Sequence, residues 1–107
     1  MKKTSLTLVI PVFNETKVLR KNISLLVKFL RRNLAHISWH VVIANNASTD
    51  NTLIEAKRLT HDFKEATAVN ITLRGRGLAV KKIWEQATTD YVAYMDVDLS
   101  TALKHFP

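Results

Sequence analysis

Apolar positions along the chain follow two rhythms. Leu6–Phe13 is a nearly unbroken apolar, β-rich run closed by Asn14, and it predicts a first strand. Leu19, Ile23, Leu26, Leu30 and Leu34 then recur at steps of four and three, one face of a long helix that Asn14 is placed to cap. Trp39–Ala44 is a second apolar run, followed by the polar, turn-forming stretch Asn45–Asn51. Thr52 with Glu55 three residues later fits a capping box, opening a short helix through Leu53, Ala56 and Leu59. Ala66–Leu73 predicts a third strand and Arg74-Gly75-Arg76-Gly77 a tight loop. Val80, Ile83, Trp84 and Ala87 form the stripe of a further helix. Tyr91–Met95 then predicts a fourth strand, ending in Asp96-Val97-Asp98.

Strand and helix in alternation predict an α/β fold, a Rossmann-like parallel sheet of about four strands with helices on both faces. The runs are apolar throughout, as strands covered on both faces require. Ligands of such sheets bind beyond the carboxyl ends of the strands. Those ends are Phe13-Asn14-Glu15, Asn45-Asn46-Ala47-Ser48, Leu73–Gly77 and Asp96-Val97-Asp98, so four polar clusters are expected along one edge.

Composition narrows the class. At 107 residues the chain holds one core, so residues 1–107 are read as a single unit. Its 47% hydrophobic and 23% charged residues exclude a disordered chain. With no cysteine, a disulfide framework, a zinc ribbon and a thiol nucleophile are excluded, and a reducing, cytoplasmic setting is expected. The longest apolar run, Leu8–Phe13, is far short of the ~20 residues a membrane span needs.

Charge is distributed unevenly. Residues 1–34 carry eight Lys/Arg against Glu15 alone, while residues 35–107 balance. The whole excess of +7 therefore sits at the N-terminus and on the first helix. Lys17, Lys21, Lys28 and Arg32 fall away from the apolar stripe, giving either a solvated face or a patch for an anionic membrane surface or another polyanion.

Three clusters could carry chemistry, and each has a plainer alternative. Asp96 and Asp98, two carboxylates one residue apart, suit Mg²⁺ or Mn²⁺, or else form a turn and cap before Ser100-Thr101. Arg74-Gly75-Arg76-Gly77 could cradle a phosphate, or be a turn with two solvated arginines. Asn45–Asp50 could read a nucleobase edge, or supply ordinary turn and capping bonds. His36 and His40 straddle a helix–strand junction and are not expected to bind metal. Trp39 and Trp84 are expected in the core.

Taken in order, Val9–Glu15, Ala44–Thr52, Arg74–Ala79 and Asp90–Thr101 resemble the N-terminal half of a family 2 glycosyltransferase of the GT-A fold. The Arg-Gly-Arg-Gly and Met-Asp-Val-Asp-Leu-Ser-Thr wording is most similar to members that load sugars onto dolichyl or other polyprenyl phosphates. The resemblance implies strand order 3-2-1-4 and a UDP- or GDP-sugar donor. It implies that Pro11, Val12 and Glu15 flank base and ribose, that Asn46 sits at the base, and that Arg76 and Gly77 border the nucleotide. Asp96 and Val97 would lie near the ribose, and Asp98, with Asp96, would hold Mg²⁺ or Mn²⁺ against the diphosphate. Asn45-Asn46 stands where the family often has Asp-Asp, which removes charge and leaves the base, uracil or guanine, open.

The expected activity is inverting transfer to a lipid-phosphate or glycan acceptor, with no nucleic-acid partner. The family's general base lies downstream of Asp98. The chain is therefore read as a donor-binding half that transfers no sugar alone and self-associates along its fourth strand. It is placed in the cytoplasm, at the cytoplasmic face of a membrane if lipid-bound. The alternatives are a non-catalytic nucleotide-binding module and a basic adaptor for polyanions, which metal-dependent binding of a nucleoside diphosphate would separate from the transferase.

Overall fold

The computed structural model describes residues 4–14, 16–46, 50–71, 81, 83, 85 and 88–95; for Asn46 it describes the backbone. The elements run β1 (Ser5–Val12), α1 (Thr16–Asn33), β2 (Ser38–Asn46), α2 (Thr52–Asp62), β3 (Ala66–Ile71) and β4 (Tyr91–Tyr94). The four strands form one sheet in the order β3-β2-β1-β4, and every pair is parallel. This is the α/β architecture and strand order expected.

Alternation along each strand divides the interior into two layers. Leu8, Ile10 and Val12 of β1 and Val41 and Ile43 of β2 share one face with Leu19, Ile23, Leu26, Val27 and Leu30 of α1 and Ala56 and Leu59 of α2. Val9, Val42 and Ala44 point the other way and pack with Ile71 and Ile83. Residues 81, 83 and 85 are helical, so the sheet has helical cover on both faces. A central strand covered twice must be apolar on both sides, which is why β1 reads as a run and not as an alternation. Trp39 is half-buried against the first layer.

Pro11 lies inside this central strand, where a missing N–H would ordinarily break a ladder. Val9 turns its carbonyl toward β4, accepting the Met95 amide at 3.0 Å. Pro11, two residues on, faces the same side. Among the described residues pairing with β4 runs as far as Val9–Tyr94, and none of them faces Pro11 as a strand partner on that side.

One local reading, the capping box at Thr52 and Glu55, is corrected by the structure. Thr52 is the first residue of α2 and Asn51 its N-cap, without a side-chain cap bond. The Glu55 amide bonds the Asn51 carbonyl at 3.0 Å, which sets the first helical turn one residue earlier than the capping box assumes. The Glu55 carboxylate reaches Arg20 of α1, which also bonds Asp62 at 2.7 Å. Arg31 forms a two-pronged bond to Glu65 at 2.6 and 2.7 Å and stacks over Phe63, 5.7 Å from the ring centre. Two cations of α1 are thus neutralised on its α2-facing flank, while Lys17, Lys21, Lys28 and Arg32 stay exposed.

Candidate functional site

β1 and β2 remain paired as far as Val12–Asn45, three residues beyond the last β1–β4 pair at Val9–Tyr94. Between β1 and β4 the strand order reverses direction, and crevices at such switch points are where open α/β sheets take ligands. At the opposite edge β4 is clamped to β1: the Ser5 amide and hydroxyl donate to Asp90 Oδ2 at 2.9 and 3.1 Å, and the Asp90 amide donates to Ser5 Oγ at 2.9 Å. The amino ends of the two strands are thus fastened together.

Two turns lie at the carboxyl ends of β1 and β2, and one carboxylate joins them. Asp50 Oδ2 accepts the Thr16 hydroxyl at 2.9 Å, and Oδ1 accepts the Thr52 amide at 2.9 Å and the Thr52 hydroxyl. The Asp50 amide donates to Asn14 Oδ1 at 3.3 Å, and the Thr16 and Thr52 hydroxyls lie 3.1 Å apart. The Thr52 hydroxyl bond first, then the Thr52 amide and Thr16, hold the Asp50 carboxyl below the usual carboxylate range against a partly opposing desolvation. Asn14, expected to cap α1, takes a left-handed φ of 50° and turns its Oδ1 to this neighbouring turn. Asn14, Thr16, Lys17, Val18, Asp50 and Asn51 line an open depression of about 660 Å³ on the helix side of the edge.

The residues expected to bind a donor fall into two groups. Pro11 and Val12 close β1 and both are buried; Val12 is 1% exposed, so a contact it makes at the edge runs through its backbone. Asn46 closes β2 opposite Ile71. Glu15, Arg76, Gly77, Asp96, Val97 and Asp98 lie outside the described residues. So does Trp84, except that its backbone neighbours Ile83 and Glu85 are helical. Among the described residues no group of three or more His, Asp or Glu side chains could hold a metal ion. The pair offered by the sequence, Asp96 and Asp98, follows directly on Met95, the residue that still bonds β1. Its all-oxygen donor set fits Mg²⁺ or Mn²⁺.

Two features of this edge were not evident from residue type. Asn45, 1% exposed, donates through Nδ2 to Asn70 Oδ1 at 2.9 Å, while its own Oδ1 is buried without a hydrogen-bond partner among the described residues. Thr16 carried no sequence signal beyond its place at the start of α1; only the fold brings it to Asp50.

A second polar cluster lies on the other face toward the amino ends. His40 Nε2 is 2.5 Å from Thr67 Oγ1, and the Thr7 and Thr89 hydroxyls are 2.8 Å apart. Burial lowers the His40 pKa from its ordinary value, against an opposing pull from Glu65. Among the described residues no helix is long and apolar enough to cross a membrane.

Comparison with known proteins bears on the edge as a whole. The family model described as glycosyl transferase family 2 matches residues 7–106. Glycosyltransferase AglD of Haloferax volcanii is 28% identical over 100 residues, covering 92% of this chain and 16% of that protein. Among solved structures, mannosyltransferase PcManGT from Pyrobaculum calidifontis, in complex with GDP-Man and Mn²⁺, superimposes with a TM-score of 0.75 at 23% identity, over 91% of this chain and 28% of that one. TarS 1-349 of S. aureus gives 0.70 at 20% identity, over 89% and 28%. The chain thus spans less than a third of the length of each of these relatives.

Proposed function

The chain belongs to glycosyl transferase family 2, and we propose that it forms the donor-binding half of an inverting glycosyltransferase, taking a UDP- or GDP-sugar at the carboxyl edge of the sheet. The observation that carries this reading is the strand order: it reverses between β1 and β4, the place where such sheets take ligands, and that place is bordered by Pro11, Val12 and the close of β2 at Asn46 and by Met95, which Asp96-Val97-Asp98 follow in sequence. The GDP-Man and Mn²⁺ held by PcManGT support a nucleoside diphosphate sugar and a divalent cation as the ligands.

In this reading the base and ribose lie over the end of β1, with Glu15 accepting from ribose hydroxyls and Asn46 at the base. Asn, unlike Asp, brings donors as well as an acceptor, so it can meet a carbonyl of either uracil or guanine. Arg76 and Gly77 border the nucleotide, where arginine offers paired N–H groups and glycine a close backbone approach. Val97 lies near the ribose. Asp98, with Asp96, holds Mg²⁺ or Mn²⁺, which when bound neutralises charge on the departing nucleoside diphosphate. The sugar passes by direct displacement at the anomeric carbon: the acceptor oxygen forms its bond as the bond to the diphosphate breaks, with inversion. A polyprenyl or dolichyl phosphate is the acceptor proposed.

Calorimetry of the chain with UDP and GDP, each with Mg²⁺, with Mn²⁺ and with a chelator, tests this. Binding is expected only with the metal, and Asp98→Ala should remove the metal-dependent part. Equal nucleotide affinity in Asp98→Ala and the parent would overturn the metal assignment. Absence of nucleotide binding under all conditions would overturn the donor site.

A further inference from the structure

The outward face of α1 sets exposed cations beside exposed aliphatic side chains. With 3.6 residues per turn, Lys17, Lys28, Lys21 and Arg32 fall within an arc of about 60°, and Leu25 and Val18 fill roughly the next 40°. The four cations are exposed, and the two apolar residues are 48% and 40% exposed. The helix contains no acid, so nothing on α1 offsets them. Of the acids of neighbouring elements that reach α1, Glu55 and Asp62 are engaged by Arg20 and Glu65 by Arg31, on the flank toward α2, and Asp50, beside Lys17 at the helix start, accepts the Thr16 and Thr52 hydroxyls. The face is therefore a cationic band about 22 Å long, edged by a strip of aliphatic side chains.

We infer that this face of α1 docks on an anionic lipid bilayer, with Lys17, Lys21, Lys28 and Arg32 at the headgroup phosphates and Leu25 and Val18 entering the boundary with the acyl chains. Charge complementarity selects an anionic surface. The aliphatic strip then distinguishes a bilayer from nucleic acid. A phosphate backbone has no use for exposed Leu and Val, and α1 presents no exposed aromatic ring for base stacking. Lysine and arginine stems also let the cations reach headgroups while the helix lies in the interface. Because the face points away from the sheet, docking leaves the first layer of the core intact. This surface goes beyond the donor site, and its test is independent of whether nucleotide binds.

The test is co-sedimentation of the purified chain with vesicles of phosphatidylcholine alone or with about one-third phosphatidylglycerol, at low and physiological salt. Binding is expected only to the anionic vesicles and weaker at high salt. Replacing Lys17, Lys21, Lys28 and Arg32 together by Gln should weaken partitioning by roughly fivefold per cation, at least ~100-fold in all. Leu25→Ser should weaken it by several-fold with the charge untouched. A control with Lys57, Arg58, Lys64 and Lys81 changed to Gln has the same net charge and should bind nearly as the parent does.

Three results would overturn the proposal: equal loss in the control, no loss in the fourfold α1 variant, or tighter binding of a DNA or RNA oligonucleotide than of the anionic vesicles. If the fourfold variant lost its cooperative melt, Lys21→Glu and Lys28→Glu singly would carry the same comparison.

Discussion

Thr16 and Asp50 lie 34 positions apart in sequence and share a 2.9 Å hydrogen bond that fastens the start of α1 to the turn before α2. The same carboxylate receives the Thr52 amide, so one side chain bonds to two helix starts beside the carboxyl edge of the sheet. Local sequence rules treat these turns as separate; the fold joins them through one side chain.

Asp50→Ala should therefore lower the melting temperature and speed amide exchange at Thr52 and through the first turn of α2. Asp50→Asn keeps an acceptor for the Thr52 amide and should recover much of the protection. Hydrogen exchange read residue by residue checks this. Unchanged protection at Thr52 in Asp50→Ala would show the bond to be idle.

Adjacent residues on α1 should respond in opposite ways. Leu26 is fully buried between helix and sheet, and Leu26→Ala should cost about 2–5 kcal/mol through lost burial and the cavity left. Leu25 is 48% exposed, and Leu25→Ala should stay within about 0.5 kcal/mol. Denaturant unfolding of the two variants side by side measures the contrast. Similar midpoints would mean that the helix is rotated from the orientation described.

The fold was legible because its signals are local and redundant. The β1 run, the Leu19–Leu34 stripe and the break at Asn45–Asn51 each fix an element to within a residue or two, and the strand order followed from the family resemblance. Partner choice was not legible. Thr52 and Glu55 match a capping box by spacing, but Asn51 begins the helix and Arg20, on another element, takes the Glu55 carboxylate. The charge imbalance was counted correctly, yet counting could not show that Arg20 and Arg31 are matched by Glu55, Asp62 and Glu65 while four other cations are left outside. Of the donor-site residues, Pro11, Val12 and Asn46 are placed at the predicted edge, because strand ends are set by the same apolar runs. The others lie outside the described residues.

Stability should fall with acid in two separate windows. Burial depresses the folded His40 pKa below its ordinary 6.5. The unfolded chain then takes up a proton more readily, so stability present above 6.5 is lost as pH falls through 6.5 toward the folded value. Glu65 is lowered from 4.5, chiefly by its bonds to Arg31. Its contribution is present above 4.5 and is lost as pH falls below that, through the folded value. Melting curves across pH should show both steps. His40→Gln should flatten the upper step, and Glu65→Gln should shrink the lower one to the part that Asp50 contributes. An upper step that persists in full in His40→Gln, or a lower step undiminished in Glu65→Gln, would reassign it to another group.

Association should occur through β4. The strand is bonded to β1 on one side and forms the sheet's edge on the other among the described residues. Its sequence, Tyr91-Val92-Ala93-Tyr94, carries no charge and no proline, the devices that ordinarily keep edges from pairing. Tyr91 and Tyr94 are 65% and 54% exposed, one on each face, so a partner strand would gain apolar contact on both sides as well as main-chain bonds. Pairing of β4 with β4 of a second copy in antiparallel fashion closes a two-fold dimer and leaves no further edge at that end. The dimer should appear in light scattering as concentration rises. Tyr94→Lys should shift it to monomer without lowering the melting temperature, because the replaced ring is already half in solvent and the added charge must be desolvated only in the dimer. A monodisperse parent chain at high concentration, with a cooperative melt independent of concentration, would show that β4 is closed to pairing.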